Sequence, residues 1–219
     1  GHQHMHPKTP IAAIILAAGS SSRMGDGRHK LLLPLGSRAV LTHVVSAALA
    51  SQAQPIIVVL GHQAEQVRAS ISEYTLHPAL TLIENPDYLQ GMSSSLHAGI
   101  RALMTDHIDG AIILLGDQPL MTPQIIDRLI ETKRTTGQPI IAPLYSGKRG
   151  NPVLFDAILF PELLGVTGDE GGRRVIERHR QEIATVEVTD AMASYDVDTW
   201  EAYQRVVRAW QRQQNLEGE

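Results

Sequence analysis

Apolar residues along this chain fall into two recurring patterns. Short continuous runs rich in Ile, Val and Leu predict strands that are buried on both faces of a parallel sheet. Between these runs, apolar residues recur at three- and four-residue spacing, which predicts helices with one buried face. The predicted strands cover residues 11–17, 55–60, 80–83, 110–116, 140–143, 153–155 and 185–189.

The helical segments alternate with these strands. This order predicts an α/β fold, a Rossmann-like three-layer sandwich in which helices cover both faces of a mostly parallel sheet. We expect the strand at 185–189 to lie at the edge of this sheet, antiparallel to its neighbour. The predicted helices cover residues 40–51, 63–74, 123–136 and 160–164, and others follow residues 90–95, 168–174 and 198–199.

Composition excludes several classes of protein. Apolar residues make up 43% of the chain and charged residues 19%, and no apolar run approaches the length of a membrane span. The net charge of −4 gives no electrostatic reason to expect a nucleic-acid partner. The absence of cysteine excludes disulfides and thiolate metal sites and fits a reducing compartment. We therefore expect a cytoplasmic protein that binds neither membrane nor nucleic acid.

The chain shows no linker composition that would divide it. We expect one domain over residues 10–212. Residues 1–9, which include several histidines, are expected to be a tag remnant and a disordered N-terminus. Residues 213–219 are expected to form a C-terminal tail.

The loop after the first strand has the chemistry of a phosphate site. Ala18, Gly19 and the serines at 20–22 are small, so backbone N–H groups can approach an anion closely, and Arg23 and Lys30 follow as positive charges. The spacing matches neither the ATP-binding G-x-x-x-x-G-K-[ST] loop nor the dinucleotide-binding G-x-G-x-x-G loop. From the residues alone, an ordinary turn between strand and helix is the alternative.

Two carboxylates are candidates for a metal site. Asp117 directly follows the apolar run 110–116, and ligands in open α/β sheets bind beyond the carboxyl ends of the strands. An Asx turn is the alternative for this residue. Mg²⁺ is usually held by one or two carboxylates together with phosphates and water, so we expect Asp198 as a second ligand, with Asp196 as the alternative. Asp198 also suits the cap of the last helix.

Two further segments combine glycine with groups that bind anions. The Gly91–Ser94 segment leads a helix, so it can serve as a serine cap, as an anion site, or as both. Basic residues occur at Lys148 and Arg149 and again at Arg173 and Arg174, where they would suit an anionic second substrate. Solvated basic loops are the alternative at both places.

Several of these segments resemble the nucleotidyltransferases related to molybdenum cofactor cytidylyltransferase. Residues 16–25 resemble the signature L-A-A-G-x-S-x-R-M-G, which is followed by Lys30 after the insert 26–29. Residues 85–96 resemble N-x-x-[WY]-x-x-G-M-x-x-S-L, and residues 116–119 match G-D-Q-P. Later matches are Y-x-G-x-R-G-[HN]-P at 145–152 and D-[IV]-D-T at 196–199.

The resemblance implies a fold like that of nucleotide-diphospho-sugar transferases and a role for each matching residue. Catalytic residues would be Arg23, Lys30 and Asp117, with Mg²⁺ at Asp117 and Asp198. Acceptor-binding residues would be Lys148, Arg149, Asn151, Arg173 and Arg174. Nucleotide-binding residues would be Leu16, Ala17, Ala18, Gly19, Ser20, Ser22, Arg23, Met24, Lys30, Gly61, Asn85, Gly91, Met92, Ser94 and Gly116.

The reaction that the resemblance implies is transfer of CMP from CTP to the phosphate of molybdopterin or its molybdenum-loaded form. Related guanylyltransferases read L-A-G-G where this chain has Ala18, so CTP is expected over GTP. A molybdoenzyme that receives the product would be a further partner. Two alternatives stay open: a cytidylyl- or uridylyltransferase for a sugar or polyol phosphate, and a non-catalytic carrier that delivers the cofactor to a molybdoenzyme.

Overall fold

Most strands of this chain join one main sheet. The computed structural model describes residues 9–19, Met24 and residues 28–217. Residues 1–8, 218 and 219, with the predictions made for them, lie outside this part. The strands are β1 (Ile11–Ala17), β2 (Pro34–Leu35), β3 (Arg38–Ala39), β4 (Ile56–Leu60), β5 (Leu80–Glu84), β6 (Gly110–Leu115), β7 (Ile140–Tyr145), β8 (Lys148–Arg149), β9 (Val153–Asp156) and β10 (Ile183–Val188).

The main sheet has the order β10-β7-β9-β6-β1-β4-β5, with β8 paired to β7, while β2 and β3 form a separate antiparallel pair. β1 runs parallel to both β4 and β6, and its Leu16 lies opposite Val59 on one side and Leu115 on the other. The carboxyl ends of these three strands therefore lie at one edge of the sheet, where the loops at Ala18, Gly61 and Gly116 meet.

Helices cover both faces of this sheet, as the alternation of patterns predicts. Ile11, Ala13 and Ile15 of β1 lie in one apolar core, while Ala12 and Ile14 lie in the other. The helices are α1 (Val40–Ala50), α2 (Ala64–Ser70), α3 (Met92–Leu103), α4 (Pro123–Thr136), α5 (Phe160–Leu164), α6 (Arg173–Arg178) and α7 (Trp200–Glu217). The first core also contains residues of α1, α4 and α7, and the second contains residues of α3, α5 and α6.

One prediction about the second half of the chain is wrong. β10 pairs with β7 in parallel, not antiparallel, although it lies at the predicted edge. The chain leaves β7 through a tight hairpin, so the antiparallel strand is β9, which lies between β6 and β7. α5 and α6 then carry the chain back across the sheet, and β10 starts at the same end as β7. α7 continues to Glu217 and so includes residues 213–217, which the sequence assigned to a C-terminal tail.

None of the helices in the described part of the chain has the length and hydropathy needed to span a membrane.

The segment that carries Lys30 is fixed by the buried ring of His29, which is 4% exposed. His29 Nδ1 accepts a hydrogen bond from the Leu31 backbone N–H at 3.3 Å, and His29 Nε2 lies 3.2 Å from the carbonyl oxygen of His62. Because a carbonyl oxygen can only accept, the ring is the neutral tautomer with its proton on Nε2. These bonds fix the backbone of the 3₁₀ turn Lys30–Leu32 and leave the Lys30 side chain to be placed by its own partners.

We expect acidification to destabilise the protein through His29. Burial is the largest cause that lowers the pKa of His29 below its usual 6.5. The hydrogen bond with the His62 backbone opposes this shift, while the charges of His62 and Lys30 add to it. The unfolded chain therefore takes up the proton first. The stability that results is complete above the unfolded pKa and is lost as the pH falls toward the folded pKa.

His29→Asn tests this effect, since its amide oxygen can still accept from Leu31 but does not titrate. Urea unfolding at about pH 7.5 and about pH 5.5 should show a smaller loss of unfolding free energy for the variant than for the wild type. Equal losses in the two proteins would contradict the role given to His29.

Candidate active site

One ammonium group lies between two carboxylates at the carboxyl edge of the sheet. Lys30 Nζ is 2.8 Å from Asp117 Oδ2 and 3.2 Å from Asp198 Oδ1. The three residues come from the 3₁₀ turn before β2, the loop after β6 and the segment before α7. The fold thus brings together the candidate phosphate-binding lysine and both candidate metal ligands.

Backbone hydrogen bonds hold the two carboxylates at this separation. The Val197 N–H donates to the Asp117 carbonyl oxygen at 2.9 Å, which ties the loop after β6 to the segment before α7. The Thr199 hydroxyl oxygen accepts from the Ala202 N–H at 3.1 Å and so caps α7 next to Asp198. The side chain that caps α7 in the structure is thus that of Thr199.

Carboxylates outnumber ammonium groups in this cluster. Asp196 lies near Asp117 and Asp198, so three carboxylates occur in the neighbourhood of the Lys30 ammonium, which contacts two of them. Burial, followed by the charges of Asp117 and Asp198, raises the pKa of Asp196 above its usual value. Burial alone would lower the pKa of Lys30, but Asp117 and Asp198 more than offset it, so this pKa lies above its usual value. Lys30 is thus a permanent cation at neutral pH.

The donor set of Asp117 and Asp198 fits a hard divalent cation. Both supply carboxylate oxygens, and the Lys30 ammonium between them shows that a cation is accepted there. Within residues 9–19, 24 and 28–217, no group of three or more His, Cys, Asp or Glu side chains has the geometry of a metal site. A metal here would need additional ligands from phosphate and water, as is usual for Mg²⁺.

A cavity of about 540 Å³ opens above this cluster. Several residues that the sequence assigned to the nucleotide line this cavity: Leu16, Ala17, Ala18, Gly19, Lys30, Gly91 and Met92. Residues to which the sequence assigned no role in binding also line it: Tyr88, Leu89, Ser95 and Asp169.

Some predicted nucleotide-binding residues lie behind the cavity wall and position it. Asn85 is buried; its amide donates to the hydroxyls of Ser94 and Ser95 at 2.9 and 3.0 Å and its oxygen accepts from the Asp87 N–H. At Gly61, a Cβ would lie 2.7 Å from the Ala18 Cβ. These residues therefore fix the shape of the wall.

Two more predicted residues are also placed behind the wall. At Gly116, a Cβ would lie 2.9 Å from the carbonyl oxygen of Leu16, so only glycine fits there without displacement. Met24 is buried in an apolar core and does not line the cavity. Three predicted residues lie outside the described part of the chain: Ser20, Ser22 and Arg23.

A second cavity of about 450 Å³ adjoins the first and has an apolar floor. The two cavities share Leu16, Met92, Leu115 and Asp169. Arg149, Asn151 and Arg173, which the sequence assigned to the acceptor, line this second cavity. The floor is formed by Leu96, Ile113, Ala142, Val153, Phe155 and Ile176.

Two of the predicted acceptor residues have other surroundings. The Arg174 guanidinium lies 3.0 Å from Glu170 in an exposed ion pair and is not among the residues that line the second cavity. Lys148 is exposed in the hairpin, opposite Tyr145 of β7, and does not line that cavity either. One member of each basic pair therefore lines the second cavity: Arg149 of the first pair and Arg173 of the second.

The N-terminus of α3 is capped by the chain itself. The Gly168 carbonyl oxygen accepts from the Ser93 N–H at 3.0 Å, and Asp169 Oδ1 accepts from the Met92 N–H at 3.4 Å. The close approach needs glycine at Gly91, whose φ is +107° and whose Cβ would lie 2.5 Å from Asp169 Oδ1. The amides predicted to meet an anion therefore already have partners.

Comparison with known proteins identifies relatives of the whole chain. Residues 13–183 match the family described as MobA-like NTP transferase domain. The chain is 30% identical over 208 residues to nicotine blue oxidoreductase from Paenarthrobacter nicotinovorans, covering 90% of this chain and 96% of that protein. It is 35% identical over 144 residues to molybdenum cofactor cytidylyltransferase from Escherichia coli (strain K12), covering 66% of this chain and 69% of that protein.

Solved structures with the same fold include Rv0371c from Mycobacterium tuberculosis H37Rv. It superimposes with a TM-score of 0.78 at 27% identity, covering 93% of this chain and 100% of that one. A manganese complex of Rv0371c gives a TM-score of 0.74 at 26% identity, covering 92% of this chain and 100% of that one. These likenesses confirm the predicted fold class. The chain belongs to the nucleotidyltransferases that carry a MobA-like NTP transferase domain.

Proposed function

We propose that the protein transfers CMP from CTP to the phosphate of molybdopterin, or of its molybdenum-loaded form, and releases pyrophosphate. The observation that carries this proposal is the Lys30–Asp117–Asp198 cluster at the base of one cavity that adjoins a second, apolar cavity. The 35% identity to a molybdenum cofactor cytidylyltransferase supports the choice of substrates. Family membership alone does not select the reaction, since one full-length relative is named as an oxidoreductase.

In this reaction an oxygen of the acceptor phosphate forms a bond to the α-phosphorus of CTP as the bond to the β-phosphate oxygen breaks. The protein mainly positions the two substrates and neutralises charge. Lys30 would bind the phosphates of the leaving pyrophosphate, and we assign the same role to Arg23. Asp117 and Asp198 would hold Mg²⁺, which supplies charge neutralisation at the α-phosphate. The manganese complex of the mycobacterial relative supports the use of a divalent metal.

The second cavity suits the acceptor that we propose. A flat heterocycle can lie against the apolar floor formed by side chains such as Ile113 and Phe155, while Arg149 and Arg173 offer donors to an anionic group. A sugar or polyol phosphate would leave its hydroxyls against this floor without partners. The apolar floor therefore favours molybdopterin over the sugar phosphate alternative.

A carrier function uses the same cavities but needs no carboxylate pair. Delivery of the product to a molybdoenzyme is compatible with catalysis, and we propose it only as an additional role. A protein that carries the cofactor without making it would bind the product and release no pyrophosphate.

The test is pyrophosphate release from CTP, molybdopterin and Mg²⁺ by the full chain. We expect Asp117→Asn to lower kcat/KM by about 10²–10³-fold, because the change keeps the shape of the side chain but removes its charge. Asp127→Asn is the matched control: Asp127 lies in α4, lines neither cavity, and accepts from the Gln52 N–H through Oδ1 at 2.7 Å, so the activity of this variant should equal that of the wild type. Wild-type turnover in Asp117→Asn would overturn the role of Asp117.

The nucleotide preference tests the role of Ala18, which is 2% exposed and lines the first cavity. Its methyl group takes up room that a purine needs more than a pyrimidine, so the wild type should prefer CTP over GTP. A single methyl group discriminates by about 1–3 kcal/mol, and Ala18→Gly should therefore reduce the ratio of kcat/KM values without reversing it. Equal use of both nucleotides by the wild type would contradict the cytidylyl assignment. An unchanged ratio in the variant would remove Ala18 from base recognition.

A further inference from the structure

The Lys30 ammonium lies where a divalent cation would have to bind. Its Nζ contacts Asp117 Oδ2 and Asp198 Oδ1, which are oxygens of the two proposed metal ligands. A metal ion at these oxygens would compete with Nζ for the same lone pairs and would be repelled by its charge. The ion pair between Lys30 and Asp117 is largely shielded from solvent, since the two side chains are 19% and 14% exposed.

The side chain of Lys30 can move while its backbone stays in place. His29 and the Leu33 N–H, which donates to the Lys30 carbonyl oxygen at 3.3 Å, fix the turn on both sides. The flexible four-carbon stem of lysine lets the ammonium exchange one set of oxygen partners for another. A bound triphosphate would offer such oxygens within the same cavity.

We propose that Lys30 acts as a resident cation that keeps Asp117 and Asp198 from binding free divalent metal, so that metal binds tightly only together with the triphosphate. This inference rests on the proposed nucleotide and metal sites. When phosphate oxygens take over the ammonium, the carboxylates lose their counter-ion and become available to the metal. Lys30 thereby couples the two binding events, and each strengthens the other.

The test measures Mn²⁺ binding by the full chain, with free Mn²⁺ followed by electron paramagnetic resonance. Without nucleotide, Lys30→Met should bind Mn²⁺ about tenfold or more tightly than the wild type. In the presence of a CTP analogue with a methylene group between the α- and β-phosphorus atoms, this advantage should disappear. The binary complex of Mn²⁺ with the analogue is titrated separately and subtracted.

Lys133→Met is the matched control for loss of an ion pair. Lys133 Nζ lies 2.8 Å from Asp156 Oδ2, and the two side chains are 13% and 27% exposed, so the pair resembles that of Lys30 and Asp117. This variant should bind Mn²⁺ as weakly as the wild type. Adding Asp117→Asn to Lys30→Met should abolish the tight binding, which assigns the metal to these carboxylates.

Lys30→Gln is the second variant, because its amide can still donate to one carboxylate and supports folding if the methionine variant is unstable. Circular dichroism spectra establish that each variant is folded. Equal Mn²⁺ affinity of the wild type and the folded Lys30 variants would overturn the inference, as would tighter binding by Lys133→Met. If Mn²⁺ binding depends on the CTP analogue and on Lys30 as expected but the protein transfers no CMP, the proposed function alone is overturned. If the protein transfers CMP but Mn²⁺ binding does not depend on Lys30, this inference alone is overturned.

Discussion

β1 runs between β4 and β6 in the same direction as both, and the three strands end at nearly the same level. This register is the constraint on which the site depends. It brings the following loops within hydrogen-bond distance, since the Ala18 carbonyl oxygen accepts from the His62 N–H and the Leu16 carbonyl oxygen accepts from the Gly116 N–H, both at 3.0 Å. A shift by one residue would turn the side chains of β1 to the opposite faces and displace Asp117 from Lys30.

The same register explains why the sequence predicts so much of the fold. Strands buried on both faces need continuous apolar runs, and a helix such as α4 carries its own boundaries in Thr122, whose hydroxyl accepts from the Ile125 N–H, and in Gly137, whose φ is +67°. Asp117 could be assigned because the residue after a buried parallel strand lies in the crevice where ligands bind. Each of these inferences uses only neighbours along the chain.

What could not be predicted depends on contacts between distant segments. The direction of β10 follows from where α5 and α6 return the chain to the sheet, and no local pattern encodes that. The capping of α3 by Gly168 and Asp169 joins residues more than seventy positions apart, and the tautomer of His29 depends on the carbonyl of His62. Arg173 and Arg174 are equivalent in the sequence, but the turn of α6 places only the first of them at the cavity.

Only part of the cluster around Lys30 lies within the segment that matches the family. The match to the family covers residues 13–183, so it includes Lys30 and Asp117 but ends before Asp198. The Val197–Asp117 backbone hydrogen bond joins the two parts, and it fixes the second carboxylate without requiring any particular side chain at Val197. Because neighbouring carboxylates repel each other, this arrangement is stabilised by a cation beside them. Lys30 meets that need from a turn whose backbone is held by His29, so the ammonium that we propose for triphosphate binding is also the group that neutralises this carboxylate cluster.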